Sequence, residues 1–137
     1  MTRNKYMILL LIPLMLIGCK PSDESAKLEI KNVSELDNLP QYVFPIESAE
    51  EAIAFAYKAN NTQENLIAQE KTYLQLSGWK INAKRKWQGD ADYWLVIFNS
   101  QGVAPAYSCN ILFYPDGTLA GGELTKEVYI PGCEWKK

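Results

Sequence analysis

The chain has 137 residues, of which 47% are hydrophobic, and its 14 basic and 16 acidic side chains give a net charge of −2. This length accommodates one domain, and the apolar content is sufficient for a buried core and argues against general disorder. The acidic balance argues against a general nucleic-acid binder, and the absence of histidine removes the usual base of a catalytic triad and the commonest metal ligand.

The N-terminal segment is first basic and then strongly apolar. Arg3 and Lys5 precede an apolar run over residues 6–17. This run is shorter than the roughly 20 residues that a transmembrane helix needs, and it suits the core of a signal peptide. The pattern therefore predicts a targeting signal over residues 1–18.

The end of this run, Leu16-Ile17-Gly18-Cys19, closely resembles the lipobox of bacterial lipoproteins. The resemblance implies that the Cys19 thiol receives a diacylglycerol, that a signal peptidase cleaves after Gly18, and that the lipid anchors the chain in the membrane. The alternative is a free or buried cysteine in an ordinary anchor helix. By the same resemblance, Lys20 in place of aspartate favours the periplasmic face of the outer membrane.

The polar segment after the cysteine divides the chain into three parts. Residues 20–27 have no apolar periodicity and include a proline, which is typical of a flexible tether. We therefore expect a signal peptide over 1–18, a lipidated cysteine with its tether over 19–27, and a single domain over 28–137. Cleavage would leave 12 basic and 16 acidic side chains, a charge of −4.

Two cysteines remain once Cys19 is acylated. Because the periplasm is oxidising, and because two cysteines allow one pairing, we predict a disulfide between Cys109 and Cys133. The alternative is a pair of reduced, buried thiols. Two thiols without histidine make a zinc site unfavourable, and no metal or cofactor is expected apart from the covalent lipid.

The first half of the domain is predicted to be helical. Residues 28–46 contain Pro40 and Pro45 and indicate an irregular lead-in with one short strand. A capping box of Ser48 and Glu51 begins a helix with a stripe of small and apolar residues. A second helical stretch is predicted from Thr62 to near Gly78.

The second half alternates with a period of two, as strands do. Residues 79–87, 93–98 and 106–114 are predicted strands, and weaker ones are expected over 118–123 and 124–130. Helices followed by an antiparallel meander of about four strands make an α+β domain, with the helix or helices packed on the sheet.

The order of elements resembles the cystatin-like group of small envelope domains, which includes PepSY-type and nuclear-transport-factor-like immunity domains. The matching stretches are Ala49-Glu50-Glu51-Ala52-Ile53, Tyr93-Trp94-Leu95-Val96 and Asp116-Gly117-Thr118-Leu119. The resemblance spans roughly residues 47–124 and implies a fold without a catalytic signature.

Two patterns suggest catalysis, and both have simpler interpretations. Ser77 and Lys80 have the S-x-x-K spacing of penicillin-binding proteins, but the other motifs of that family are missing. Asp90 and Asp92 are expected to be turn residues rather than an acid–base or metal-binding pair. We therefore expect no enzymatic activity.

The alternation predicts two different faces of the sheet. Facing the helix we expect Trp79, Ile81, Trp87, Tyr107, Ile111 and Phe113. The opposite face is the candidate partner-binding face, and it carries Lys80, Lys84, Lys86, Leu112 and Tyr114. The alternative is that residues 28–46, with Tyr42, Val43 and Phe44, cover this second face.

These features favour a lipid-anchored binding or inhibitor module with a protein partner in the cell envelope and no nucleic acid or metal. An immunity protein against a toxin or hydrolase that acts in the envelope fits this description. The alternative is a structural or accessory lipoprotein of an envelope assembly. The sequence does not separate the two.

Overall fold

The structure of the chain, a computed structural model, describes residues 24–88, 91–120 and 132–135. The lipobox residues Leu16, Ile17, Gly18 and Cys19 lie outside these ranges, as do Asp90 and most of the two weaker strands predicted over 118–130. The elements in chain order are β1 (Ser25–Ile30), a 3₁₀ helix (Val33–Asn38), α1 (Ala49–Lys58), α2 (Thr62–Thr72), β2 (Gly78–Gln88), β3 (Ala91–Gln101), β4 (Tyr107–Phe113) and β5 (Gly132–Trp135).

The strands form one antiparallel sheet in the order β1-β2-β3-β4-β5, with the helices packed on it. The predicted α+β class, with helices on an antiparallel meander, is confirmed. Within the described ranges the sheet has five strands, where about four were predicted. The strand at its first edge begins at Ser25, so the boundary of the predicted tether at residue 27 is wrong and the folded domain starts earlier.

Helix α1 crosses the sheet through its small residues. Ala49, Ala52 and Ala56 have no exposed surface, and they bring the helix backbone close to the strands beneath. Trp79, Trp94 and Phe98 fill the space between α1 and the sheet, and each is at most 1% exposed. This main core lies on one side of the sheet, as the alternation predicts.

The N-terminus of α1 is capped by Ser48, whose Oγ accepts a hydrogen bond from the Glu51 N–H at 3.2 Å. The Glu51 carboxylate does not complete the predicted capping box in the usual way. Its two oxygens accept hydrogen bonds from the Ser48 hydroxyl at 3.0 Å and from the Val43 N–H at 3.0 Å. Glu51 therefore ties the preceding loop to the helix. Helix α2 ends at Thr72, before the predicted end near Gly78.

Residues 28–46 pack on the helix side of the sheet, so the alternative in which they cover the opposite face is wrong. Val33, Leu36 and Ile46 belong to the main core. The ring of Phe55 in α1 lies 5.4 Å from the ring of Tyr42 and 5.9 Å from that of Phe44, measured between centroids. These contacts hold the lead-in against α1.

Trp87 lies on the predicted helix side of β2, but the helices do not cover it, and its side chain is 62% exposed. It lies near the end of β2, where its ring covers the guanidinium of Arg85 at 5.4 Å. Of the predicted weak strands, Leu119 forms an isolated bridge with Phe113. Strand β5 was not predicted. Within the described ranges, no helix combines the length and apolar character needed to cross a bilayer.

Candidate functional site

The pleat of β2 places Lys80, Lys84 and Lys86 on the side of the sheet away from the helices. Their neighbours Trp79, Ile81 and Ala83 point the other way and are buried in the main core. Strand β1 adds Lys27 to the same side, because Lys27 is paired with Asn82 in the register. We call this side of the sheet, with Lys27, Lys80, Lys84 and Lys86, the lysine face.

The lysine face has an excess of positive charge, although the chain as a whole is acidic. Strands β1 to β4 place four lysines and one glutamate, Glu29, on this side. Lys80 Nζ lies 3.6 Å from Glu29 Oε1, and both side chains are more than half exposed. An exposed pair of this kind contributes at most about 1 kcal/mol and leaves the lysine available to a partner.

A depression of about 210 Å³ lies in the lysine face between β1 and β3. Lys27 of β1 and Ile97 of β3 flank Asn82 of β2, and Lys84 lies beside Leu95, which is 2% exposed. The half-buried Ile97 next to two lysines suits a partner that presents an apolar side chain beside acidic ones.

The structure corrects the assignment of Leu112 to the binding face. Leu112 is 1% exposed and packs with Tyr93 and Leu95 in a second, smaller core. The chain turns back after β4 and runs beside its end, where the Ala120 N–H donates to the Leu112 carbonyl at 2.8 Å and Ala120 packs against this core. Leu112 therefore supports the face and does not contact a partner. Tyr114 is half-buried at the margin of this core.

Sequence reasoning missed a charged cluster around Arg85 on the helix side of the sheet. The guanidinium lies between the rings of Trp87 and Trp94, 5.4 and 5.6 Å from their centroids. It donates to Asp92 through two atoms and to Glu47 Oε2 at 2.8 Å. The hydrogen bonds to Asp92 raise the pKa of Arg85 above its ordinary value.

Asp92 is therefore a strand residue with an ion-pair partner, and its assignment to a turn is wrong. It lies in β3 opposite Trp87. The signal for this pair was present in the sequence, because Arg85 breaks an apolar alternation and an aspartate follows across a short connection. Asp90, the other carboxylate of the candidate pair, lies outside the described residues.

Ser77 and Lys80 line a groove of about 490 Å³ where β2 begins. The groove also contains Glu29, Glu35 and Gln101, and Lys80 is engaged with Glu29. Among the side chains that the structure describes, no group of three or more His, Cys, Asp or Glu residues is placed to hold a metal ion.

Cys109 and Cys133 form a disulfide in the structure, in agreement with the predicted pairing. They are directly opposite in the register of β4 and β5, with their Cα atoms 3.9 Å apart. Cys109 is fully buried in the main core. The bond therefore fastens the edge strand β5 to the rest of the sheet.

Comparisons of this chain with models of protein families, with curated proteins and with solved structures found no match. The surface chemistry of the described residues and the signals in the N-terminal sequence are therefore the grounds on which a function can be proposed.

Proposed function

We propose that the chain is a lipid-anchored periplasmic lipoprotein whose domain is a non-catalytic binding or inhibitor module. In this proposal, the lysine face contacts an acidic protein partner. The main support for this proposal is that four lysines and one glutamate lie on one side of strands β1 to β4, although the chain has a net charge of −2.

Charge separation of this kind affects recognition more than folding. Exposed lysines contribute little to stability, so their concentration on one face needs another explanation. Opposite charges on two surfaces speed their encounter and reject partners of the wrong sign. The lysine face would therefore select a partner with an acidic surface.

The depression supplies the apolar part of such an interface. Lysine is depleted at the centres of protein interfaces and is more common at their rims. The half-buried Ile97, with Lys27 and Lys84 around it, has this arrangement. We infer that an apolar side chain of the partner enters the depression while acidic groups around it meet the lysines.

The proposed location follows from the lipobox resemblance at residues 16–19. A lipid on Cys19 would hold the domain at the membrane surface, where a toxin or hydrolase of the envelope acts. An inhibitor needs a complementary surface and no catalytic group of its own. We therefore favour an immunity-type role against such an enzyme.

Charge reversal tests this proposal with a matched control. The variant Lys80→Glu/Lys84→Glu/Lys86→Glu changes the lysine face. The control Lys31→Glu/Lys58→Glu/Lys71→Glu makes the same change in net charge at three exposed positions outside it. Each acylated protein is used to capture partners from envelope extracts, and association and dissociation rates with the captured partner are measured.

We expect the lysine-face variant to lose at least tenfold in capture, with most of the loss in the association rate and its salt dependence. The control should retain capture, and both variants should melt within a few degrees of the parent. Equal capture by the two variants would contradict the proposal. Capture of a subunit of an envelope assembly, with no toxin or hydrolase, would favour the accessory role.

A further inference from the structure

We propose that one end of the sheet docks onto the phospholipid bilayer, with Trp87 and Phe44 inserted at the interface between headgroups and acyl chains. This inference depends on the proposed lipid anchor at Cys19. It adds that the folded domain itself contacts the membrane in one orientation. We call this end of the molecule the tip, and it carries Val43, Phe44, Trp87 and Leu119.

The register places the start of β1 at the tip. Ser25 pairs with Lys84 near the end of β2, and the Arg85 N–H donates to the Glu24 carbonyl at 2.7 Å. The chain therefore enters the fold close to Trp87. Strand β4 also ends here, since Phe113 is opposite Trp94 near the start of β3.

The length of chain before the fold limits the distance of the tip from the membrane. Five residue steps separate Cys19 from Glu24. Even fully extended, they span at most about 17 Å. Glu24 lies beside Arg85, seven residues or about 24 Å from the start of β2, so a tether of this length excludes an orientation in which the domain stands on its opposite end.

The tip exposes an unusual set of large apolar side chains. Val43 is 70% exposed, Phe44 53%, Trp87 62% and Leu119 48%. Among the described residues, the remaining large apolar side chain of comparable exposure is Leu74, near the start of β2 at the opposite end. Four of the five exposed positions therefore share the end where the chain enters the fold.

The tip is held in shape before any membrane contact. The Ile46 carbonyl accepts a hydrogen bond from Trp94 Nε1 at 3.0 Å, and the Ile46 N–H donates to the Pro115 carbonyl at 2.8 Å. The Phe44 ring lies so close to Gly117 that a Cβ there would come within 2.7 Å of it. Binding would therefore require little ordering of these side chains.

The positive and negative charges near Trp87 are equal in number, so the aromatic rings decide what the tip binds. Around Trp87, the basic side chains Lys84, Arg85 and Lys86 are matched in number by Glu24, Glu47 and Asp92, of which Glu47 and Asp92 both bind Arg85. Aromatic side chains, tryptophan above all, favour the membrane interface, where an amphipathic ring meets both water and hydrocarbon. We therefore expect the tip to bind a bilayer that carries no net charge.

Fluorescence quenching tests the orientation on the acylated full mature chain. The protein is reconstituted into phosphatidylcholine vesicles whose acyl chains carry bromine near the headgroups, and its tryptophan emission is compared with that in unbrominated vesicles. The chain has four tryptophans. The difference between the parent and Trp87→Phe isolates the contribution of Trp87.

We expect the parent to lose a clearly larger fraction of its emission than Trp87→Phe. The variant Val43→Ser/Phe44→Ser should reduce the quenching of Trp87 at least twofold. Leu74→Ser, a change of an exposed apolar residue at the other end, should leave it unchanged. Equal quenching of the parent and Trp87→Phe would overturn the docking inference, as would equal effects of the tip and Leu74 variants.

The same samples test the membrane docking and the proposed lipid anchor separately. The intact mass of the mature protein shows whether Cys19 is acylated. A chain without acyl groups would overturn both the anchor and the docking. An acylated chain whose Trp87 is not quenched would overturn the docking alone and leave the proposed function standing.

Discussion

The guanidinium of Arg85 makes two parallel hydrogen bonds to the Asp92 carboxylate, 2.8 Å from Nε to Oδ1 and 2.6 Å from Nη2 to Oδ2. The Arg85 side chain is 9% exposed and that of Asp92 21%, so the pair is largely removed from water. Removal of Asp92 leaves the poorly solvated guanidinium with Glu47, an exposed carboxylate, as its remaining partner. The pair therefore fastens the ends of β2 and β3 on the helix side.

We predict that Asp92→Ala lowers the free energy of unfolding by about 3 kcal/mol, measured by denaturant titration. Glu29→Ala is the matched control, because it removes one partner of the exposed pair with Lys80 and should cost less than about 1 kcal/mol. Similar losses in the two variants would contradict this account of Arg85.

The disulfide between Cys109 and Cys133 closes a loop with a sequence separation of 24. On the chain-entropy model, a loop of this size stabilises the fold by about 3 kcal/mol. We predict that Cys109→Ala/Cys133→Ala lowers the free energy of unfolding by about this amount and speeds amide exchange in β5. Non-reducing mass analysis of periplasmic protein should show the loss of two hydrogens. Alkylation of both thiols without reductant would show that the bond is absent.

Tyr57 gives a prediction for alkaline pH. Burial, followed by the nearby Asp37 carboxylate, raises the pKa of Tyr57 from 10.0 to about 12. Its hydroxyl donates to Asp37 Oδ1 at 3.3 Å. Between these two pH values the unfolded chain releases the proton first, so stability falls as the pH rises through this window.

We therefore expect the free energy of unfolding of Tyr57→Phe to decline less steeply than that of the parent between pH 10 and about 12. The variant should be about 1 kcal/mol less stable at neutral pH, since it loses the hydrogen bond to Asp37. Tyr42→Phe, at a half-buried ring that also packs against α1, is the control. Identical slopes for the parent and Tyr57→Phe would show that this hydroxyl does not titrate as described.

The anchor proposal predicts a processing defect in Cys19→Ser. Because thioether formation precedes cleavage in lipoproteins of this type, the precursor should keep residues 1–18 and incorporate no labelled fatty acid. Cys109→Ser tests a cysteine outside the lipobox resemblance and should be processed normally. Cleavage and acyl labelling of Cys19→Ser would rule out the lipoprotein interpretation.

The sequence was sufficient to predict the face toward the helices. Trp79, Ile81 and Ile111 lie at alternate positions in strong strand patterns, and all three are buried beneath the helices. Period-two alternation predicts the side of a sheet reliably, since a slip of one residue would expose every apolar side chain on that strand.

The pattern did not predict what covers each position. Trp87 is on the expected side but lies near the end of its strand, and its side chain remains exposed. Leu112 is on the other side and was expected to be accessible, but it is buried in the smaller core, against which Ala120 also packs. Coverage depends on long-range contacts, which alternation within one strand does not encode. The short strand expected within residues 28–46 begins earlier, at Ser25, and Lys27 was missed because it was assigned to the tether.

Photo-crosslinking in intact cells tests the central claim, that the lysine face binds a partner. A photoreactive phenylalanine analogue replaces Asn82, which lies between Lys80 and Lys84 along β2 and lines the depression. The control position is Glu64, which is exposed on α2. We expect a crosslinked adduct of defined mass from position 82 and none from position 64. The adduct should be lost when Lys80, Lys84 and Lys86 are changed to glutamate in the same chain. Equal adducts from both positions, or an adduct that survives the charge reversal, would contradict the account.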